Sequence, residues 1–323
     1  MTRKRMEQLL GRESARIRRR FLGVVARVKS KRSLAELEAA LEGGTISEVL
    51  DDFEKALGQL AAATEATYAG IAAEVTARLA KTLDAPLAFD ATNQRAIDYL
   101  QRHRAKLVTE LTQTQRDAVV EALVEGNRAG VGPRTQAAAL RDSIGLTQQQ
   151  AGWVTRYRAR LEQLDSKALT LELRDKRFDG TVTKAIDSGK ALTPKQVDRM
   201  VARYADKALA YRAEVIARTE ALRALHMADE EATAQVIDSG EIAVERVECS
   251  WHARMVRTRH SHATMNGQRR AFGEAFTSGA GYQLKYPGDP DAPASETAQC
   301  VCLKRTRILP EGQVYVPDEP AAT

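Results

Sequence analysis

The sequence predicts a mainly α protein in which a basic N-terminal arm precedes an extended body of long helices and a small C-terminal α+β module follows it. Aromatic residues make up only 5% of a chain that is 43% hydrophobic, which favours helices packed through small side chains over an aromatic-rich β-sandwich. Apolar residues recur at spacings of three and four over most of the first 240 residues, the period of a helix. Beyond Gly240 apolar and charged residues alternate, as in half-buried strands.

Residues 1–32 are predicted to form the basic arm. They hold twelve basic and two acidic residues, a net charge of +10 in a chain whose total is +6. The basic residues are Arg3, Lys4, Arg5, Arg12, Arg16, Arg18, Arg19, Arg20, Arg27, Lys29, Lys31 and Arg32. A cationic segment on a near-neutral body predicts binding to the phosphates of nucleic acid. Docking on an acidic protein surface, or a merely solubilising tail, is the alternative.

Residues 33–192 are predicted to form the helical body. Ser33 and Glu36 have the spacing of a capping box, and apolar residues from Leu50 to Leu79 form a helical seam about 30 residues long. The seam predicts either a coiled-coil strut or an ordinary helix packed on its neighbours. Further helical patterns cover residues 93–111, 114–125, 134–144 and 147–161.

A long connecting helix is predicted over residues 193–240, because Thr193 and Pro194 are the residues preferred at an N-cap and at the first helical position. The α+β module is predicted over residues 241–310. Its strands are expected near residues 244–251, 282–286 and 300–308, with a short helix near 261–265, and residues 311–323 are predicted to be a flexible tail.

Two whole-chain features bear on location. Three cysteines in 323 residues argue against a disulfide framework and favour a reducing compartment, which suggests the cytoplasm. No apolar run approaches the ~18–20 residues that a membrane span needs, so no membrane partner is expected.

The long helix and the module together carry an ordered set of residues. Residues 211–220 include Arg218 and Glu220. They are followed by Trp251, Arg257, Thr258, Arg259, His262, Met265, Asn266, Gly267, Cys300 and Cys302. In order and spacing, residues 175–310 resemble the phage head morphogenesis family, the phage Mu protein F-like minor capsid proteins. The chain departs from that family at Met255 and Val256, where an acid is usual, at His260 and Gln299, where Pro and Asn are common, and at Val301, where Arg is common.

The resemblance implies a non-enzymatic virion protein of a tailed phage. Such a minor head protein would dock on the portal and contact packaged double-stranded DNA during head assembly or DNA delivery, with the major capsid or scaffold protein as further partners. It would lie in the head interior or at the portal vertex, and in the host cytoplasm during assembly. A transient scaffold or a DNA-packaging accessory protein is the alternative.

Cys300 and Cys302 form a candidate zinc site with His262. Two cysteines two residues apart on a strand face the same side, so both thiolates could reach one ion, and His252, His260 or Cys249 could complete a tetrahedron. The alternative is a pair of small buried cysteines beside a hydrogen-bonded histidine.

Two further expectations concern catalysis and the long helix. A metal-dependent nuclease built on His260 and His262 is a weak alternative, because Asp289 and Glu296 stand isolated on a proline-rich loop and no paired carboxylates are evident. Arg218 or Glu220 is expected to pair with a charge of the module. His226 is expected on the helix surface.

Overall fold

The structure, a computed structural model, describes residues 2–254, 256 and 258–317. It confirms the predicted fold class: long helices precede a small antiparallel sheet region near the C-terminus. The main helices are α1 (Arg3–Lys31), α2 (Leu34–Glu42), α3 (Ser47–Leu83), α4 (Gln94–Arg128), α5 (Pro133–Ser143), α6 (Gln148–Glu162), α7 (Asp179–Ser188) and α8 (Pro194–Asp238). None of the described helices is both long and apolar enough to cross a bilayer.

The predicted helix starts are confirmed by their capping hydrogen bonds. The Ser33 hydroxyl accepts from the Glu36 N–H, and the Glu36 carboxylate accepts from the Ser33 N–H. Thr147 and Gln150 repeat this capping box at the start of α6. Thr193 caps α8 in the same way, with Gln196 as its partner, and Pro194 occupies the first helical position. Each reciprocal pair satisfies two backbone N–H groups that a helix end otherwise leaves open.

The segment predicted as a basic arm is helix α1, and this corrects the expectation of an arm outside the folded body. Met6, Leu9, Ile17, Phe21 and Val25 are each at most 1% exposed. They recur at helical spacing between the charged residues, so the segment is amphipathic and contributes to the core. The abundance of arginine in the sequence conceals this apolar stripe.

Two helices predicted over residues 93–111 and 114–125 form one helix, α4. Thr112 and Gln113 lie inside it, since neither residue breaks a helix. Gly126 does not end it either; the helix continues to Arg128, and Gly130 follows with a φ of +62°.

The described chain divides into two compact units that cut across the predicted domain boundaries. The first unit comprises the described residues within 2–18, 62–103 and 215–317, and the second comprises residues 19–61 and 104–214. Four helices change unit along their length, which the sequence pattern does not reveal, because each helix keeps one continuous apolar period.

The second unit is all-helical. Its core contains Phe21, Leu57, Leu140 and Leu161, each no more than 1% exposed. Gly145 has a φ of +85°, and a Cβ there would lie 2.6 Å from Val25. Glycine is required at this turn, because any other residue would be strained in its backbone and would clash with α1.

The first unit contains the α+β module, whose strands are β1 (Val247–His252), β2 (Arg269–Ala271), β3 (Phe276–Thr277), β4 (Gln283–Leu284) and β5 (Leu303–Ile308). Two short helices, α9 (His260–Ala263) and α10 (Ala294–Thr297), lie between strands. An antiparallel sheet has the order β2-β1-β5, and β3 pairs with β4 in a separate ribbon.

The strand predictions hold in part. The first strand begins at Val247, not at Val244, which lies in a 3₁₀ turn. The third begins at Leu303, so Cys300 and Cys302 precede β5 and do not lie within it. The predicted tail lies against the module at Tyr315, whose N–H donates to the Glu245 carbonyl at 2.7 Å. Residues 318–323 of that tail lie outside the described residues.

One hydrophobic cluster joins distant parts of the sequence within the first unit. Met6 and Leu9 of α1 belong to it together with Tyr68 of α3, Leu225 of α8 and Trp251 of β1. The module therefore buries its apolar face against long helices, which supplies a core that its own short strands cannot provide.

Candidate functional site

Trp251 is the central residue of the module. It is fully buried on β1, packs edge-on against the His262 ring with 5.3 Å between centroids, and lies 5.4 Å from the Phe276 ring. Its backbone carbonyl accepts from the Gly267 N–H at 2.8 Å. The tryptophan of the motif therefore positions both the histidine and the turn that follows it.

Asn266 and Gly267 form the predicted turn. The Asn266 side-chain oxygen accepts from the Ala253 N–H at 2.9 Å, and Gly267 has a φ of +84°. A residue with a side chain is disfavoured in this conformation. These two motif residues thus hold the loop between β1 and β2.

His262 lies between two sulfurs and a carboxylate. Its Nδ1 is 3.4 Å from the Cys300 Sγ and 3.6 Å from the Cys302 Sγ, while its Nε2 is 2.9 Å from a carboxylate oxygen of Glu296. All four residues are at least 95% buried. The Ser261 hydroxyl donates to the same carboxylate.

The two thiols influence each other's ionisation. Hydrogen bonding to Cys300 and to His262 holds the pKa of the Cys302 thiol below its usual range, although burial opposes this. The same thiol–thiol contact, together with burial, raises the pKa of Cys300.

None of the three residues predicted as a fourth ligand joins this cluster. Cys249 lies beside Lys304 and Thr306, and burial raises its pKa to about 11. The His252 Nε2 lies 3.0 Å from the Ser250 hydroxyl, and His260 is exposed. Among the described residues, the candidate metal group comprises His262, Cys300 and Cys302 alone.

Within the part of the module that the structure describes, neither Arg218 nor Glu220 makes the predicted ion pair. Glu220 is 4% exposed, and its carboxylate lies 2.6 Å from the His103 Nε2 and 2.9 Å from Arg223. Burial alone would raise the pKa of this carboxyl, but His103 and Arg223 lower it. The motif region of α8 contacts the module through Thr219 instead, whose hydroxyl accepts from the Gln299 N–H at 3.4 Å.

An open pocket lies where this part of α8 meets the module, lined by Arg218, Arg254, Val256, Gln299 and Val301. Val256 is 73% exposed. A second pocket lies beside it, and its lining includes His262, Cys300, Cys302 and Arg259. The Arg259 guanidinium donates to the Ala298 carbonyl. Arg257, predicted as a motif residue, lies outside the described residues.

The twelve basic residues predicted to bind DNA differ in their availability. Several are engaged by acids: Arg3 by Glu7, Arg5 by Glu74, Arg12 and Arg16 by Glu13, and Lys31 and Arg32 by Asp52. Burial lowers the pKa of Lys29, and Arg18 has an interaction partner. Within residues 2–254, 256 and 258–317, Lys4, Arg19, Arg20 and Arg27 are exposed and make no ion pair.

The sequence interpretation missed three buried polar residues. Glu296 seemed isolated on its loop, yet it contacts His262. Lys304, at 1% exposure, donates to Glu230 of α8, and the charges of Glu230 and Asp229 raise its pKa although burial alone would lower it. His226, expected on the surface, is fully buried. A charged residue within a short strand is the one available signal, but β5 also holds Arg305 and Arg307, so the signal does not single out Lys304.

Asp289, considered above as a metal ligand, stabilises its own loop, because its carboxylate accepts hydrogen bonds from the N–H groups of Lys285 and Asp291.

Comparisons of the chain with protein families, with curated proteins and with solved structures found no match.

Proposed function

We propose that this protein is a minor head protein of a tailed phage that docks on the portal and contacts packaged double-stranded DNA during head assembly or DNA delivery. The observation that carries the proposal is the ordered motif from Arg218 to Cys302, which resembles the phage Mu protein F-like family. In support, Trp251, His262, Asn266 and Gly267 have structural roles in one small module. Such a framework suits a binding module.

The pocket lined by Arg218, Arg254 and Val256 is the docking surface that we assign to the portal. An exposed apolar side chain between two cations fits a partner surface that offers an apolar contact with an acidic rim. When the chain is co-expressed with a portal protein from the same phage, we expect a ring-shaped portal oligomer to co-purify with it. Arg218→Glu and Val256→Asp should reduce that recovery.

Val316→Asp provides a matched control, because Val316 is also exposed, at 69%, and lies outside this pocket. Loss of portal binding in the control alone, or full recovery with both pocket variants, would reject the assigned surface. The alternative function, a transient scaffold or packaging accessory protein, predicts presence in immature particles and absence from mature ones. Immunoblotting of both particle types separates the two functions.

The exposed cations of α1 are the part that we assign to DNA. Arg19, Arg20 and Arg27 lie on one side of the helix, as their spacing requires. The slope of log K against log salt changes by ~0.9 for each phosphate contact. The triple change of these residues to Gln should therefore flatten the slope by up to ~2.7 units.

Fluorescence anisotropy with a DNA duplex over a range of salt concentrations would measure this slope. A triple change of Lys81, Lys167 and Lys190 to Gln removes the same charge from exposed positions elsewhere and should leave the slope close to that of the unmodified protein. Equal slopes for all three proteins would instead support docking of α1 on an acidic protein surface.

A further inference from the structure

We propose that the His262 Nδ1 and the Sγ atoms of Cys300 and Cys302 bind one zinc ion. Glu296 lies beside the other ring nitrogen of His262, Nε2, and orients the ring. This inference does not depend on the proposed function, since a metal can stabilise the module whatever the module binds. It also differs from the usual zinc knuckle, because two of the ligands are separated by a single residue.

The distances fit a tetrahedral ion. With Zn–N of ~2.0–2.1 Å and Zn–S of ~2.3 Å, a tetrahedral arrangement places nitrogen and sulfur ~3.6 Å apart. The observed Nδ1–Sγ distances are 3.4 and 3.6 Å, and the three ligand atoms all lie within 4.8 Å of one another. The side chains therefore need little rearrangement to bind the ion.

A hydrogen-bonded core is the alternative to a metal site. In that core one thiol bonds to the other, and the single acceptor nitrogen of a neutral imidazole takes one thiol proton. A shared cation satisfies both sulfurs and the nitrogen together.

Glu296 has the position of an orienting residue. A histidine that ligates a metal commonly donates its other ring N–H to a carboxylate, which fixes the tautomer and the ring direction. The Nε2 of His262 lies 2.9 Å from a carboxylate oxygen of Glu296 without a hydrogen bond among the described residues, so the carboxylate is close enough to accept the ring N–H in the metal-bound protein. The Ser261 hydroxyl holds that buried carboxylate in place.

The pocket beside the Cys300 and Cys302 sulfurs has room for the fourth ligand of the zinc ion. His262, Cys300 and Cys302 all line it, together with Thr258 and Arg259, and the described residues supply no fourth histidine, cysteine or carboxylate ligand. We assign the fourth position to a water molecule.

Elemental analysis of the reduced full-length protein, purified without chelator, tests the proposal. We expect close to one zinc per chain, because binding energy at such a site stabilises the folded state. A content below ~0.2 zinc per chain after zinc supplementation would overturn it. Cobalt substitution gives a second reading: tetrahedral thiolate coordination should produce strong visible absorption and a near-ultraviolet sulfur-to-metal band.

Four variants test the ligands and the carboxylate beside them. Cys300→Ser and Cys302→Ser should each abolish the cobalt–sulfur signature or halve it, whereas Cys249→Ser should leave it unchanged, because Cys249 is an equally buried thiol outside the cluster. Glu296→Gln should keep the spectrum but weaken zinc affinity by ~10–100-fold. A spectrum that survives both single serine changes, or that Cys249→Ser removes, would refute the assignment.

Discussion

His226 shows at the scale of one residue how burial decides ionisation. The ring is fully buried, and neither ring nitrogen has a hydrogen-bond partner among the described residues. Burial, with the charge of Lys304 as a smaller cause, lowers the pKa of His226 to about 3. Below pH 6.5 the unfolded chain therefore binds a proton that the folded protein does not bind, and stability falls as the pH falls toward 3.

Replacing His226 by Leu should remove this pH dependence. Between pH 7.5 and pH 5 the histidine is expected to cost ~2 kcal/mol of folding stability, so the variant should gain about that much relative to the unmodified protein at pH 5. Denaturant unfolding at both pH values measures the difference. A parallel loss of stability in the two proteins would contradict the assignment, and comparing them cancels the contribution of other groups.

Glu220 presents the opposite case, a buried charge with partners. Removing the carboxylate leaves the charge of Arg223 and the ring of His103 unpaired in the core, so Glu220→Ala should destabilise the protein by ~3–5 kcal/mol. Glu7→Ala breaks an exposed ion pair with Arg3 and should change stability by less than ~1 kcal/mol. Similar effects from both changes in thermal unfolding would count against a buried network at Glu220.

At the scale of single residues, the sequence predicted the three candidate zinc ligands but not the carboxylate beside them. The types and spacing of His262, Cys300 and Cys302 indicate metal-binding chemistry, and the structure places them together. Glu296 was not predictable, because its approach to His262 depends on the path of the loop through α10. The prediction that His226 lies on the helix surface was wrong for a related reason. The sequence shows the helical period at this position, but it does not show that the module covers this face of α8.

At the scale of elements, α1 gives the clearest test of the fold. Phe21 is fully buried, while its neighbour Arg20 is exposed. Phe21→Ala should therefore cost ~3–5 kcal/mol, whereas Arg20→Ala should change stability by less than ~0.5 kcal/mol. Equal and small effects in chemical denaturation would restore the interpretation of this segment as an arm outside the core.

Helices with a strong local signal were predictable, and the shortest strands were predictable only in part. The apolar seam of α3 and the caps of α2, α6 and α8 carry strong local signals, so these helices follow from the sequence. Strands β2, β3 and β4 have only two or three residues each. Their pairing depends on neighbours such as Gln268, which hydrogen-bonds to Thr277, and such tertiary contacts have no periodic signal.

At the scale of the whole molecule, the fold class was predictable because composition and periodicity act over hundreds of residues. The division into two units was not, since α1, α3, α4 and α8 each contribute residues to both. A linker rich in proline or glycine marks a boundary in sequence. Boundaries that fall inside continuous helices leave no such mark.

The cluster that joins Met6 and Leu9 to Trp251 also has a consequence for biosynthesis. At roughly 5–20 residues per second, the ribosome needs on the order of 10–50 s between making the first of these residues and the last. During that interval the apolar side of the nascent α1 lacks its final partners. In chains stalled with about 240 residues emerged, pulse proteolysis should cleave residues 62–103 far faster than in the released protein. Equal protection in both would mean that this region is stable before the module emerges.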